Sequence, residues 1–173
     1  MSKNNKKANK TNAMRILDQH GVSYITHDYE STGAISGVEV AAVLGQDPAR
    51  AFKTLVAEGA GKVSKGSGSG ERTKEHYVFV VPVAAELDLK KAAAAVGEKS
   101  ISMIKQKELL PLTGYIHGGC SPLGMKKQFR TIIDASASDK ETIMFSAGKI
   151  GQQIEMNPAD LPKVLDFEYG DIT

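Results

Sequence analysis

A lysine in the middle of an apolar segment is the first residue of this sequence that could take part in chemistry. Lys53 lies in residues 51–57 (AFKTLVA), and in a strand it would share one face with Ala51 and Leu55. An ammonium group in such apolar surroundings either extends to solvent or lies in a pocket with an anionic partner. The structural alternative is an edge-strand gatekeeper, a lysine whose charge discourages the strand from pairing with another chain.

A glycine-rich segment supplies the second candidate. In residues 114–124 (GYIHGGCSPLG) two adjacent glycines, Gly118 and Gly119, follow a predicted strand. Glycine lets the backbone approach a ligand closely and present its N–H groups to it. Ser121 and Pro122 would stiffen the far side of the turn. A β-bulge followed by a turn is the structural alternative.

A third segment also ends a predicted strand with a small turn. It comprises residues 145–149 (FSAGK) and contains Ser146 and Gly148. Each of the three segments alone is a weak signal, because strands often end in glycine turns for structural reasons.

Several familiar sites are not supported by the sequence. A phosphate-binding P-loop needs a lysine after its second glycine, and Met125 occupies that position after Gly124. The histidines lack paired ligand spacing and Cys120 is the single cysteine, which argues against a metal enzyme. For Cys120 we favour a small buried thiol over a nucleophile, because free cysteine usually packs as a small apolar side chain.

The elements that position these segments follow from apolar periodicity and from capping residues. Predicted helices cover residues 12–20, 36–44, 89–96, 105–110 and 159–165. Predicted strands cover residues 22–29, 51–57, 77–83, 129–134, 142–146 and 152–156, and a further strand from residue 115 runs into the glycine loop. Strands outnumber helices and several follow one another closely, which predicts a mixed α+β fold with one central sheet.

Length and composition fit one globular domain. The chain has 173 residues, 41% of them hydrophobic and 24% charged, with no apolar run near the roughly 20 residues that span a bilayer. No secretory signal is recognisable and one cysteine cannot form an internal disulfide, so we expect a cytoplasmic protein. The formal net charge is +2, and four lysines in the first ten residues leave the remainder slightly acidic. If the folded part binds RNA, we therefore expect it to do so through a local basic patch, because its surface as a whole is not basic.

Two segments are predicted to lie outside the packed elements. Residues 1–11 form a basic tail that we expect to be disordered, and residues 12–173 form the domain. Residues 58–75 are rich in Gly and Ser and are predicted to be a flexible hairpin loop between two strands.

Taken together, three motifs resemble those of the YbaK/EbsC family. They are residues 52–55 (FKTL), the loop at 118–127 (GGCSPLGMKK) and the turn at 146–151 (SAGKIG), in the order and spacing of the family. The family comprises free-standing Cys-tRNA(Pro) and Cys-tRNA(Cys) deacylases, related to the editing domain inserted in bacterial prolyl-tRNA synthetases. The resemblance extends from about Asn12 to Ile172.

The resemblance implies a fold and a set of site residues. The fold is a mixed, curved central β-sheet, a partial barrel, flanked by helices. Lys53 matches the lysine that editing requires, and Gly118 matches the glycine whose backbone faces the aminoacyl group. The predicted catalytic residues are therefore Lys53 and Gly118, and the predicted substrate-binding residues are Tyr29, Thr54, Gly119, Ser121, Ser146 and Gly148.

The resemblance also implies a reaction: cleavage of the aminoacyl ester of mischarged tRNA(Pro), by a hydrolase or a lyase-like enzyme with no cofactor and no metal. Lys53 is suited to the terminal phosphate of the unpaired tRNA 3′ end, which would position the ester. The Gly118 and Gly119 amides would hold the carbonyl oxygen as negative charge develops. The cysteinyl thiol of the substrate would attack its own ester carbonyl and leave as a cyclic thioester, so the task of the site is orientation.

Two alternatives remain open from the sequence. The same reaction could act on another mischarged tRNA, carrying alanine or serine, because pocket size decides the amino acid. The chain could instead be a non-catalytic module that binds tRNA or a synthetase. Prolyl-tRNA synthetase is the expected protein partner, since the near-neutral folded part would bind tRNA weakly by itself; no membrane partner is expected. Whether Lys126, Lys127 and Arg130 contact the tRNA is left open.

Overall fold

The computed structural model describes residues 10–63 and 72–173. Within these ranges the helices are α1 (Asn12–Gln19), α2 (Gly37–Val43), α3 (Leu89–Val96) and α4 (Gln106–Thr113). The strands there are β1 (Ile25–Asp28), β2 (Phe52–Gly59), β3 (Lys62–Val63), β4 (Arg72–Thr73), β5 (His76–Pro82), β6 (Ile101–Met103), β7 (Arg130–Asp134), β8 (Ile143–Ser146), β9 (Gln152–Met156) and β10 (Glu168–Gly170). Short 3₁₀ turns cover Glu30–Thr32, Pro48–Arg50, Ala135–Asp139 and Pro158–Lys163.

The main strands form two sheets that meet at one point. A five-stranded sheet has the order β10–β7–β5–β2–β6, in which β2 is antiparallel to β5 and β6 and β7 is parallel to β5 and β10. Strands β1, β9 and β8 form an antiparallel three-stranded sheet. A parallel bridge between Ala51 and Met144 connects the two sheets, which do not close into a barrel. The predicted mixed α+β fold with a partial barrel is confirmed, with its strands divided between two sheets.

Alternating residues of β5 separate two apolar cores. Val78 and Val80 face the larger core, which also contains Phe145 from the three-stranded sheet. Phe79 and Val81 face the second core, which α3 covers with its alanines. Because β5 is buried on both faces, its sequence is a continuous apolar run rather than an alternating one.

Side-chain caps fix two helix starts where the sequence predicts them. The Ser36 hydroxyl accepts a hydrogen bond from Glu39 N at 3.2 Å, at the first turn of α2. The Asp88 carboxylate accepts bonds from two backbone amides of the first turn of α3, each at 3.0 Å. Helix α3 ends at Gly97, whose φ of +73° is the left-handed conformation that glycine adopts without strain.

Helix α4 runs further than its sequence suggests. It was predicted to stop before Pro111, but it continues to Thr113. The proline removes one backbone donor, yet Gly114 N donates to Leu110 O at 2.9 Å and carries the hydrogen-bond ladder past it.

Three other sequence predictions need correction. No strand begins at Tyr115: its backbone N donates to Thr113 Oγ1 at 3.0 Å and its hydroxyl donates to Leu123 O, so side chains hold this segment as a loop. The helix predicted at 159–165 is a 3₁₀ turn. Strands β6 and β10, of three residues each, were not predicted.

The two segments predicted to be flexible lie partly outside the described residues. Residues 1–9 of the tail are not described, whereas Lys10 pairs with Asp18 and Thr11 caps α1. Strands β3 and β4 pair antiparallel and extend the hairpin between β2 and β5, and residues 64–71 of that hairpin are not described. Among the helices described, none is long and apolar enough to cross a membrane.

A polar network joins the 3₁₀ turn before β2 to the three-stranded sheet. Glu155 accepts hydrogen bonds from the Thr142 hydroxyl and from Arg50 Nη2 at 3.2 Å, and its other oxygen lies 2.7 Å from His27 Nε2. The Thr142 bond in particular lowers the pKa of Glu155, with help from His27 and Arg50 and against the effect of burial. The network therefore depends on an ionised carboxylate.

We expect Glu155→Gln to lower the free energy of unfolding by about 1.5–3 kcal/mol at pH 7, the range for hydrogen bonds to a charged group. Because the pKa of Glu155 is lower in the folded than in the unfolded chain, this contribution is present above the ordinary value of 4.5 and is lost as pH falls through the folded-state value. Urea unfolding at pH 7 and pH 3 should show the difference from wild type shrinking in acid. Glu168→Gln, at the exposed pair with Arg130, is the control and should cost less than about 1 kcal/mol. Equal losses in the two variants at pH 7 would contradict the prediction.

Candidate active site

A pocket of about 310 Å³ opens beside β2. Residues 52–55 of β2 form one wall, and α2 with its cap contributes Ser36, Val38 and Val40. The other walls come from Tyr29, Leu109 of α4, the loop that contains Gly118, and the facing strands β8 and β9. The pocket therefore lies where the five-stranded sheet, the three-stranded sheet and α2 meet.

Lys53 is the lysine that the pocket encloses. It is half-buried on β2, opposite Val81 of β5. Strand β2 lies inside the five-stranded sheet, but its pairing with β6 begins only at Ala57, so Lys53 lies on a part of β2 that has one open edge. In the part of the chain that the structure describes, no carboxylate pairs with Lys53. The pocket thus contains a fixed positive charge that an anionic ligand group could neutralise.

One edge of β2 is open at the pocket. The backbone of Ala51 and of Gly59 bonds to the β5 side, at 2.9 Å in each case. Since alternate residues of an antiparallel strand bond to opposite sides, the N–H and C=O of Thr54 point away from β5. Pairing with β6 begins at Ala57, so no described strand covers the edge at Thr54.

The Thr54 side chain is also unpaired. Its Oγ1 is buried and has no hydrogen-bond partner within residues 10–63 and 72–173. A buried hydroxyl without a partner loses free energy unless a ligand or water completes it. Thr54 therefore presents unsatisfied polar groups next to Lys53.

The two adjacent glycines of the loop have different environments. Gly118 lines the pocket with φ +85°, a conformation that suits glycine. Gly119 N donates to Ile116 O at 3.0 Å, so this amide is engaged inside the turn. A Cβ at Gly119 would lie 3.0 Å from Ile150 N, which explains the need for glycine where the loop approaches the β8–β9 turn.

The remaining predicted residues divide into those at the cavity and those behind it. Ser146 lines the pocket, and its hydroxyl accepts a hydrogen bond from Gly148 N at 3.2 Å. Gly148 packs against the Tyr115 ring, and Ser121 is fully buried with its hydroxyl bonded to Leu123 N at 3.3 Å. The structure thus brings together Tyr29, Lys53, Thr54, Gly118 and Ser146 around the pocket, whereas Gly119, Ser121 and Gly148 are outside its lining.

Cys120 also lines the pocket, but its surroundings do not favour a thiolate. Burial raises the pKa of the Cys120 thiol to about 12, and a hydrogen bond with Thr113 offsets only part of that effect. A nucleophilic cysteine needs a lowered pKa. The structure therefore agrees with the interpretation of Cys120 as a buried thiol.

Sequence reasoning missed two features of the site. Gln153 lines the pocket, and only its cross-strand pairing with Ser146 around the β8–β9 turn could have indicated this. Buried Val40 and half-exposed Val38, which α2 contributes to the lining, were also not singled out. His117, which had been weighed only as a neighbour of Cys120, lines the pocket as well.

Comparison with known proteins places this geometry in a family. Residues 33–164 match the model of the aminoacyl-tRNA editing domain. A protein of Enterococcus faecalis named "Putative Cys-tRNA(Pro)/Cys-tRNA(Cys) deacylase EbsC" is 42% identical over 165 residues, which is 95% of this chain and 93% of that protein.

Solved structures share the fold at lower identity. One, described as "a putative trans-editing enzyme for prolyl tRNA synthetase", has a TM-score of 0.73 at 20% identity and covers 92% of both chains. Another, of a hypothetical protein, has a TM-score of 0.74 at 17% identity and covers 94% of this chain and 99% of its own. The family model and the Enterococcus relative together show that the chain belongs to the aminoacyl-tRNA editing domain family, as a YbaK/EbsC-type member.

Proposed function

We propose that this protein is a trans-acting hydrolase that removes cysteine from mischarged Cys-tRNA(Pro). The observation that carries the proposal is the Lys53 ammonium group, which has no ionic partner among the described residues and lies in a pocket with no carboxylate in its lining. A phosphate of the tRNA 3′ end would supply the missing negative charge. The name of the Enterococcus relative supports the same reaction and substrate class.

The size of the pocket suits the end of a tRNA rather than a helix of RNA. A volume of about 310 Å³ is at the lower limit of small-molecule sites. It has room for an aminoacyl ester and part of the terminal nucleoside, and unpaired 3′ ends are the kind of RNA that a protein pocket can enclose.

The chemistry would be assisted by the substrate. The cysteinyl thiol attacks its own ester carbonyl, a C–S bond forms, the ester C–O bond breaks, and the thiol proton passes to the departing ribose oxygen. The released cyclic thioester is then hydrolysed to cysteine. A free cysteine thiol has a pKa of about 8.5, so a few per cent is thiolate near neutral pH. Cys120, with its raised pKa, is a much poorer nucleophile.

The residues of the chain would orient this reaction. Lys53 would hold the terminal phosphate, and Thr54 and Gly118 would direct their polar groups at the ester. Holding the reacting atoms in the right geometry supplies much of the acceleration in such reactions. No step requires a metal or another cofactor.

Specificity for the tRNA would come partly from a second protein. The chain after its first ten residues is slightly acidic, so its own affinity for tRNA should be modest. We propose that residues 12–173 act as the editing unit in the cytoplasm and that prolyl-tRNA synthetase presents the mischarged tRNA.

The proposal is tested by incubating the purified protein with tRNA(Pro) charged with cysteine, alanine or serine, with and without prolyl-tRNA synthetase. We expect Cys-tRNA(Pro) to be discharged at least tenfold faster than the other two, because only cysteine has a thiol of suitable pKa. Release of labelled amino acid is the measurement. Faster discharge of alanine or serine would assign a different substrate. Binding of charged tRNA without discharge would identify a non-catalytic module.

A further inference from the structure

A buried amide forms part of the pocket wall. Gln153 is 6% exposed and lines the pocket from β9. In the β8–β9 register it is paired with Ser146, which also lines the pocket. Directly paired residues of antiparallel strands project from the same face of the sheet, so the two side chains form one polar pair in the wall.

Gln46 fixes the orientation of this amide. Gln46 Nε2 donates to Gln153 Oε1 at 2.6 Å. Gln46 follows α2, and its backbone N donates to Ala41 O at 2.9 Å, so the side-chain bond ties the end of α2 to β9. With Oε1 of Gln153 engaged, its Nε2 makes no hydrogen bond to the described part of the chain, and Gln46 Oε1 on the far side of the pair is buried without a partner. An amide nitrogen carries two donor hydrogens.

The other residues that line the pocket include no carboxylate that could accept a hydrogen bond from Gln153 Nε2. The ionisable side chains that line the pocket are those of Tyr29, Lys53, His117 and Cys120, and none of the lining residues is a carboxylate. The wall thus has cationic and neutral donors but no acidic group that could take up the Gln153 amide hydrogens. A ligand that brings an oxygen acceptor would satisfy them, and a ligand without one would leave them unpaired.

We propose that Gln153 donates a hydrogen bond from Nε2 to an oxygen acceptor of the bound aminoacyl nucleoside, and that Gln46 holds it in position for this. The inference rests on the proposed function for the class of ligand, but it does not depend on turnover. Gln153 is a substrate-binding residue, whereas Gln46 acts through Gln153 and is a positioning residue.

The test is the affinity for 3′-deoxy-3′-(cysteinylamino)adenosine, an amide that cannot be hydrolysed as the ester can, measured by calorimetry. Gln153→Glu keeps the oxygen that accepts from Gln46 and the size of the side chain, but it replaces the donor with an acceptor. We expect its Kd to rise at least tenfold at pH 7, and to recover in part as pH falls and the new carboxyl group is protonated.

Gln152→Glu is the matched control. It makes the same chemical change one residue earlier on β9, outside the lining of the pocket, at a side chain whose Oε1 is buried without a partner opposite Asp28. We expect its Kd to stay within twofold of wild type. Thermal unfolding of both variants shows whether each remains folded at the temperature of the measurement.

Gln46→Met tests the positioning role. We expect a Kd about threefold higher than wild type, with no further increase when the same change is added to Gln153→Glu, because Gln46 acts only through the Gln153 amide. Additive losses in this cycle would overturn the positioning role, since they would show that Gln46 acts independently of Gln153.

The remaining outcomes separate this inference from the proposed function. Equal or tighter binding of the amide by Gln153→Glu would overturn the inference, because an ionised carboxylate can only accept hydrogen bonds. Lack of binding by the wild-type protein would overturn it as well. If wild type binds the amide with the expected dependence on Gln153 but discharges no charged tRNA, the inference is supported and the hydrolase function is rejected.

Discussion

Replacing Lys53 with methionine is expected to lower kcat/KM for Cys-tRNA(Pro) by between about 10-fold and 150-fold while the protein stays folded. Methionine keeps the apolar stem and removes the charge. Loss of a charge-assisted hydrogen bond costs about 1.5–3 kcal/mol, which gives this range. Because no described carboxylate pairs with Lys53, its removal should not lower the melting temperature. Single-turnover release of labelled cysteine, together with thermal unfolding, measures both effects.

Two further variants sharpen the result for Lys53. Lys90→Met makes the same change at an exposed position on α3, outside the pocket lining, and should alter kcat/KM by less than twofold. Lys53→Arg restores the positive charge, but the planar guanidinium group differs in shape from the ammonium group of lysine. We therefore expect kcat/KM to recover only in part. Equal activity in Lys53→Met and Lys90→Met would remove Lys53 from the mechanism.

The second large effect is expected from adding one methyl group at Gly37. A Cβ there would lie 2.4 Å from Val83 Cγ1 and 2.8 Å from Val83 Cβ, so α2 must move away from the end of β5. Overpacking of this kind costs about 1–3 kcal/mol of stability. Because α2 carries Val38 and Val40 into the pocket wall, we also expect Gly37→Ala to lower kcat/KM at least tenfold.

Gly97→Ala is the control for this prediction. Gly97 has φ +73° and no atom within 4 Å of its added Cβ, so alanine there strains the backbone by about 1 kcal/mol without moving a pocket element. Both variants should lose stability in urea unfolding, but only Gly37→Ala should lose activity. Wild-type kinetics in Gly37→Ala would mean that α2 does not shape the pocket.

Strands are predictable from this sequence where their side chains alone decide burial. The apolar run YVFVVPV was predicted as a strand, and β5 covers all of it except Val83; the bounds of β9 are the predicted ones. Strand β6 could not be predicted, because two of its three residues, Ser102 and Met103, are exposed and its pairing comes from the edge of β2. Strand β10 likewise exists through pairing with β7.

The loop after α4 was predicted wrongly for a different reason. Its sequence from Tyr115 looks extended, but hydrogen bonds of Tyr115 to Thr113 and Leu123 hold it as a loop. These partners are close in sequence, but their side-chain geometry is not encoded in apolar periodicity, which reports burial rather than hydrogen bonding.

The residues of the candidate site also divide into those that the sequence predicts and those that it does not. Lys53 and Gly118 were predicted because a charge in an apolar strand and a glycine pair at a loop are unusual residue types for their positions. Gln153 was not, because a polar residue on a strand ordinarily faces solvent. Its place in the pocket depends on the register of β8 with β9 and on Gln46 from a distant segment.

The position of β9 between β1 and β8 has a consequence for when the protein becomes functional. Ile25 of β1 pairs with Glu155 of β9, so this sheet cannot assemble until the chain has been synthesised as far as β9. Such pairing between distant segments slows folding. A nascent chain that already contains Lys53 but has not yet docked β9 has no closed pocket. The newly made protein should therefore complete its pocket only after β9 has docked.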